Sequence, residues 1–323
     1  MNRLVKPLRV LPPPSSETSP MVGDSAPMKR LRQQLMRMAQ APGAVLVQGE
    51  TGSGKELAAR ALHHHSPRAT REFIALNCAA IPRELIEAEL FGSAPGAFTG
   101  ARARPGLFRA AHRGTLFLDE IGDLSLPAQA ALLRVIETGT LRPLGSDTVI
   151  AIDVRLVCAT HRNLKTLAES GSFRADLYHR ISTFTLTVPP LRTRIDDLPA
   201  LARALAGQGT ERLTAAAWRT LRAHPWPGNV RELRNVLLRT LATTDGPIHP
   251  HDLELGDGPP PRGPHEPLPP GRTLRERITT CVRQEVEAQG GNLRAAARVL
   301  GISPTTLYRY LVPAEGLAQG GEP

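Results

Sequence analysis

Two rhythms of apolar and polar residues run along this chain, and they change over at identifiable places. Between Met21 and Pro250, short apolar runs recur at Ala44–Val47, Phe73–Leu76, Thr115–Leu118 and Val154–Cys158, each bounded by turn residues or charge. Runs of that length without alternation predict buried strands of a mostly parallel sheet. Helical stretches lie between them, among them Glu56–His63 and Pro127–Glu137. Strands and helices in turn predict an α/β domain whose helices cover both faces of the sheet. From Asp196 the strands stop. Three helical patterns follow one another, Asp196–Ala206, Glu211–Ala223 and Asn229–Ala242, and predict a small all-helical subdomain.

The flanks differ. Residues 1–20 are rich in Pro and Ser and are expected to be disordered. Residues 256–272 hold seven prolines and almost no apolar side chain, which predicts a stiff, extended linker. Helical patterning resumes at Thr273 and runs to Leu311. The expected organisation is therefore a disordered start (1–20), an α/β part (21–190), a helical part (191–255), a linker (256–272), a helical C-terminal domain (273–313) and a tail (314–323).

Charge and composition narrow the partners. Lys and Arg number 40 against 30 Asp and Glu, a net +10, which favours an anionic partner such as nucleic acid, nucleotide or a membrane surface. Cys78, Cys158 and Cys281 lie far apart and fit no metal spacing, so they read as buried, reduced thiols. No apolar run approaches the ~20 residues of a membrane span. The first twenty residues are basic but lack the apolar core of a secretion signal. A cytoplasmic protein that does not enter the membrane is expected.

The candidate chemistry begins at Gly49-Glu50-Thr51-Gly52-Ser53-Gly54-Lys55-Glu56, which follows a predicted strand and precedes a predicted helix. That context is what a phosphate-binding loop requires. Glycines let backbone N–H groups turn toward phosphates, and the helix start adds its positive dipole end. Lys55 would reach the β- and γ-phosphates. Glu56 stands where the general pattern has a Ser or Thr to bind magnesium, so the metal shell must be completed otherwise. Downstream, Thr115-Leu-Phe-Leu-Asp119-Glu120 delivers two carboxylates at the end of an apolar strand. Asp119 can hold Mg2+, directly or through water. Glu120 can polarise the attacking water as general base.

Further motifs point to a family. Asn77-Cys-Ala-Ala80, Glu89-Leu-Phe-Gly92, Gly96-Ala97-Phe98-Thr99-Gly100-Ala101, Phe173-Arg-Ala-Asp-Leu177, Pro189-Pro-Leu-Arg192 and Trp226-Pro-Gly-Asn-Val-Arg-Glu-Leu233 occur in order. In these the chain resembles the sigma-54-dependent transcriptional activators, the bacterial enhancer-binding proteins of the AAA+ superfamily. The Glu56 variant of the P-loop looks like this family too. The resemblance implies a P-loop AAA+ parallel sheet with a helical lid, ATP and Mg2+ as cofactors, and an ATPase ring, hexameric in the family. Asn77 resembles the switch residue that holds the catalytic Glu. Thr160, with His161, resembles the first sensor, and Arg231 the second sensor on the lid. Arg174 and Arg180 look like arginine fingers that reach a neighbouring subunit, two candidates for one main role. Residues Gly96–Ala101 resemble the loop that contacts sigma-54 RNA polymerase. Ser93-Ala94-Pro95 departs from the family pattern just upstream, and Pro95 is expected to stiffen the loop's approach.

Gly291–Leu311 predicts a helix-turn-helix. Gly301 suits the left-handed end of a first helix, Ser303 an N-cap and Pro304 the first position of a second. Leu307 and Leu311 would pack inward with Ala297, Leu300 and Ile302. Thr306 and Arg309 would face the major groove, while Asn292, Arg294 and Ser303 would contact phosphates of double-stranded DNA. The segment resembles the DNA-binding domain of the nucleoid protein Fis. Ile278, Val282 and Val286 recur every four residues and would suit a dimer seam.

The expected function is activation from upstream DNA: an ATPase ring that remodels sigma-54 RNA polymerase from closed to open promoter complex. With no room for a sensory domain before Met21, control is expected from a regulatory partner protein or from expression level. Two rivals stay open: a DNA-bound regulator with a vestigial ATPase fold, and a remodelling ATPase with an unrelated client. Intact Asp119–Glu120 and the Gly96–Ala101 loop speak against the first, and the helix-turn-helix against the second. His63-His64-His65 reads as a helix end and not as a metal site, since three consecutive side chains cannot face one ion.

Overall fold

The apolar runs pair side by side into one sheet. In the computed structural model, which describes residues 21–96, 103–255 and positions 282, 286, 293, 297, 307 and 310, five strands are parallel throughout. They are β1 (Val45–Gln48), β2 (Phe73–Asn77), β3 (Thr115–Asp119), β4 (Arg155–Thr160) and β5 (Phe184–Thr187), in the order β2-β3-β4-β1-β5. All six residues of the central β4 are buried, as expected of a parallel strand with helices on both faces.

Successive side chains go to opposite faces. Val45, Val47, Phe117, Val157, Ala159 and Leu186 pack against α1 (Ala26–Gln40) and α2 (Lys55–His64). Leu46, Leu116, Leu118, Leu156 and Cys158 pack on the other face, against α3 (Arg83–Phe91), α4 (Leu126–Thr138) and α5 (Ala175–Ile181). β4 runs two residues past the expected end at Cys158, which draws Thr160 into the sheet opposite Gln48. At its other end, buried Arg155 donates to the carbonyls of Ala39 (2.5 Å) and Met38 (2.6 Å) and so satisfies the C-terminus of α1.

The helical part comprises α6 (Leu198–Ala206), α7 (Ala215–Ala223) and α8 (Asn229–Thr243) around buried Trp226, Leu191, Leu221 and Leu233. Two of these helices begin later than their apolar pattern. Residues Leu191–Asp197 form a tighter helical turn, and Thr214 caps α7 by accepting from the Ala217 N–H.

His63 and His64 close α2, and His63 is buried with Nδ1 2.9 Å from Thr115 Oγ1. Among the described residues no cluster of three or more His, Cys, Asp or Glu is arranged to hold a metal ion, and no helix is long and apolar enough to cross a membrane. Cys78 and Cys158 are buried free thiols, while Cys281 lies outside the described residues.

In the C-terminal unit, Val282, Ala297 and Leu307 are buried together, with Val286, Leu293 and Tyr310 packed against them. Ala297 and Leu307 thus turn inward as their spacing predicts. Val282 is the one correction within the expected dimer seam: it is 3% exposed within a single chain, packed into the unit's own small core, while Ile278 lies outside the described residues.

Candidate functional site

Parallel register lines up the carboxyl ends of the strands. Gln48 lies opposite Thr160, Leu118 opposite Cys158, and Asn77 opposite Asp119. The P-loop, Thr160, the Asp119–Glu120 pair and Asn77 therefore meet along one edge, where open α/β sheets bind ligands.

The P-loop joins β1 to α2. Gly52 (φ 75°) and Gly54 (φ 105°) take the left-handed conformation that only glycine adopts at no cost. Lys55 is buried, and its Nζ donates to the carbonyls of Gly49 (3.0 Å) and Glu50 (3.3 Å) while standing 3.6 Å from Glu120 Oε1. The hydroxyl of Ser53 is buried with no hydrogen-bond partner. A loop with an orphaned hydroxyl, a turned-back ammonium and two glycines fits a phosphate chain. Glu56 lies outside that cradle: its carboxylate pairs with Arg60 one turn on, at 2.8 Å.

Asp119 ends β3, and Glu120 follows with φ 51°, a left-handed conformation that a glutamate rarely adopts. Glu120 Oε2 lies 2.8 Å from His161 Nδ1 and accepts from the His161 N–H (3.3 Å) and from Thr160 Oγ1 (3.4 Å). Burial alone would raise its pKa, but the His161 hydrogen bond and the Lys55 charge outweigh that and hold it low. Asp119 goes the other way: burial, then the neighbouring Glu120, push its carboxyl up. Two adjacent acids are thus driven apart, Glu120 held ionised and Asp119 raised above the usual carboxylate range.

Asn77 does not hold Glu120 in this conformation. Its amide donates to Asp119 Oδ2 at 3.4 Å, because strand register sets it across from Asp119, while its own oxygen accepts from the Ala79 N–H. Glu120 is held by Thr160 and His161 instead.

The lid closes the site from above. The N–H groups of Val230 (3.1 Å) and Arg231 (3.4 Å), in the first turn of α8, donate to the carbonyl of Gly52. A Cβ on Gly52 would run into the Gly228 carbonyl and the Arg231 side chain, so only glycine permits this approach. Of four further residues to which the sequence assigns no role, three tie the lid to the loop and the fourth, Asp197, ties it to the segment before α1. Arg192 holds both oxygens of Glu50, at 2.6 and 2.7 Å. Asn229 donates to Glu50 Oε2 and to the Thr51 carbonyl, both at 3.1 Å. Buried Arg194 donates to the Ser53 carbonyl at 2.8 Å. Asp197 accepts from the N–H groups of Asp24 and Ser25 and from the Ser25 hydroxyl. The motifs around Arg192 and Asn229 marked these segments, yet their contacts lie 142 and 179 residues away along the chain.

The two candidate fingers flank α5, Arg174 as its N-cap and Arg180 in its last turn. Arg174 is paired with Asp176 at 2.7 Å, and Arg180 lines a cleft with Gly43, Arg155 and Thr183 at the opposite end of the strands. Of the expected sigma-contacting loop only Gly96 is described; residues 97–101 lie outside. Its base is firm. Ser93 and Arg104 exchange backbone hydrogen bonds at 3.1 and 3.0 Å, and Ala94 donates to the Leu144 carbonyl at 2.8 Å. Asn292, Arg294, Ser303, Thr306 and Arg309 also lie outside the described residues.

Comparison with known proteins agrees with this architecture. Residues 21–187 match the sigma-54 interaction domain, 192–256 the AAA+ ATPase lid domain, and 284–311 the Fis family of bacterial regulatory proteins. The response regulator PilR of Pseudomonas aeruginosa is 45% identical over 259 residues, covering 76% of this chain and 58% of PilR. The anaerobic nitric oxide reductase transcription regulator NorR of Aeromonas hydrophila is 43% identical over 321 residues, covering 92% and 63%. A crystal structure of NtrX from Brucella abortus in complex with ATP superposes with a TM-score of 0.67 at 32% identity, covering 90% of this chain and 68% of that one. The chain spans 58% to 65% of the length of the curated relatives it matches. With a parallel P-loop sheet, a docked helical lid and a Fis-type segment in that order, the chain belongs to the family built on the sigma-54 interaction domain of the AAA+ class.

Proposed function

We propose that this chain is a sigma-54-dependent transcriptional activator that hydrolyses ATP. The observation that carries the reading is the convergence of Lys55, Thr160 and His161 on Glu120 at the carboxyl edge of the sheet. ATP with Mg2+ supplies the phosphoanhydride bond whose cleavage releases the energy for remodelling. Gly49–Lys55 holds the phosphates, with the Ser53 hydroxyl and Lys55 Nζ as donors, and Asp119 holds the metal, directly or through water. Asp119's place at the carboxyl end of β3, beside Glu120 and Asn77 on the P-loop edge of the sheet, supports this. Glu120, kept ionised by His161 and Lys55, orients and deprotonates water. Thr160 and His161 hold that carboxylate in place. Asn77 takes it over only if its amide leaves Asp119. Arg231 senses nucleotide from the lid.

Arg174 and Arg180 act in trans, in the site of the next subunit of a ring, six in the family pattern. Arg180's place at the opposite end of the strands from its own P-loop supports this. Residues 96–101 contact sigma-54 RNA polymerase, and residues 273–313 hold the ring on upstream DNA through Asn292, Arg294, Ser303, Thr306 and Arg309.

The test is promoter opening by permanganate footprinting, with sigma-54 polymerase and a promoter that carries the chain's own binding site. Intact protein with ATP should open the promoter, and Thr99→Ala and Glu120→Gln should not. Hydrolysis and DNA binding without opening by the intact protein would reject sigma-54 remodelling and favour another client.

A further inference from the structure

Among the described residues, Glu50 is the one P-loop side chain that the lid holds by hydrogen bonds. Arg192 engages both its oxygens, and Asn229 adds a third hydrogen bond at 3.1 Å. Asn229 is fully buried with φ 54°, and its Oδ1 accepts from the Leu191 N–H at 2.8 Å. One amide therefore joins the hinge before the lid, the start of α8 and the loop. At its backbone, Glu50 faces the opposite way: its carbonyl accepts from Lys55 Nζ.

We propose that Glu50, Arg192 and Asn229 form a latch that makes the lid follow the P-loop, with Arg192 as a positioning residue for nucleotide binding. The latch rests on the nucleotide-site reading above. Lys55 cannot keep donating to the Gly49 and Glu50 carbonyls and at the same time serve phosphates with all its protons. When it turns to phosphate, the peptide that carries Glu50 loses a ligand and shifts. A two-pronged pair passes a rotation on to its partner, as a single contact would not. Glu50 itself does not read the nucleotide, because both its oxygens are taken by lid donors. Its carboxyl is held below the usual range by Arg192, so the pair is charged throughout the neutral range. Half-exposed pairs add little to stability, so the purpose of this one lies in position.

The chain's two tryptophans, Trp218 and Trp226, both lie in the lid core and report on it. The experiment titrates the full chain with ADP, following tryptophan emission and, separately, the heat of binding. Wild type should bind ADP with a change in emission. Arg192→Gln should lose most of that change and bind about tenfold more weakly, or about 1.4 kcal/mol. Arg192→Lys, which keeps one prong, should fall between them. Wild-type affinity and emission change in Arg192→Gln would overturn the latch. So would wild-type binding that leaves the tryptophans silent. No heat of binding in wild type would instead remove the nucleotide site, and the latch with it.

Discussion

Arg194 Nη2 donates to the carbonyl of Ser53 at 2.8 Å, and Nη1 lies 3.0 Å from the sulfur of Met28. One buried cation thus sits beneath the P-loop and touches the loop, α1 and the approach to the lid at once. Burial lowers the pKa of its guanidinium, and nearby Asp197 offsets part of that cost. Arg194→Met would leave the Ser53 carbonyl without its donor. The expected loss is about 1–3 kcal/mol, the desolvation penalty of a buried unsatisfied acceptor. Thermal unfolding followed by circular dichroism would show it as a lowered midpoint. A midpoint equal to wild type would mean that another donor or water replaces the guanidinium.

Glu120→Gln keeps the shape of the side chain and its contact with His161 but removes the base. ATP hydrolysis should fall about 10²- to 10⁴-fold, the usual worth of a positioned general base. Nucleotide binding, measured separately by calorimetry, should persist. Hydrolysis within a few-fold of wild type would move the base role elsewhere.

Gly52→Ala tests how closely lid and loop must meet. The added Cβ has no space beside the Gly228 carbonyl, and φ 75° strains any side chain. Nucleotide affinity should collapse while helix content stays unchanged, because the clash lies at the joint and not in either core. ADP binding at wild-type strength would show that the joint opens at little cost.

His63 supplies a pH dependence. Burial, first of all, pushes its pKa below the ordinary value, and the charges of Arg155 and Arg60 push the same way. The unfolded chain therefore binds the proton more readily than the folded one. Stability from this group is complete above the unfolded pKa of about 6.5 and falls as pH drops through the folded value. Urea midpoints measured from pH 8 downward should decline across that window. His63→Gln can still bond Thr115 but does not titrate, so its decline should be shallower. Identical slopes would assign the acid sensitivity to other groups.

Much of the site could be read from local sequence, because its parts are local. A strand, a glycine-rich turn and a helix start make a phosphate loop in a single stretch, so Gly49–Lys55 needed no partner to be recognised. The same holds for two acids at the end of an apolar strand. Gly52 illustrates the limit. Its freedom in φ was apparent from the motif, but the Gly228 carbonyl that forbids any other residue there comes from the lid.

The amino-acid sequence determined the α/β class, the P-loop, the acid pair and the helical lid, since hydrophobic period and turn chemistry act over a few residues. Tertiary structure alone decided which side chains meet. Register across parallel strands turned Asn77 to Asp119, and left Glu120 to Thr160 and His161. Docking of the lid on the loop brought Asn229 of α8 and Arg192 of the Leu191–Asp197 turn to Glu50, and Arg194 of the same turn to Ser53. Burial of Val282 in its own chain's core took it from the expected seam. These outcomes depend on contacts between distant segments, and no pattern confined to a few neighbouring residues records where such segments will touch.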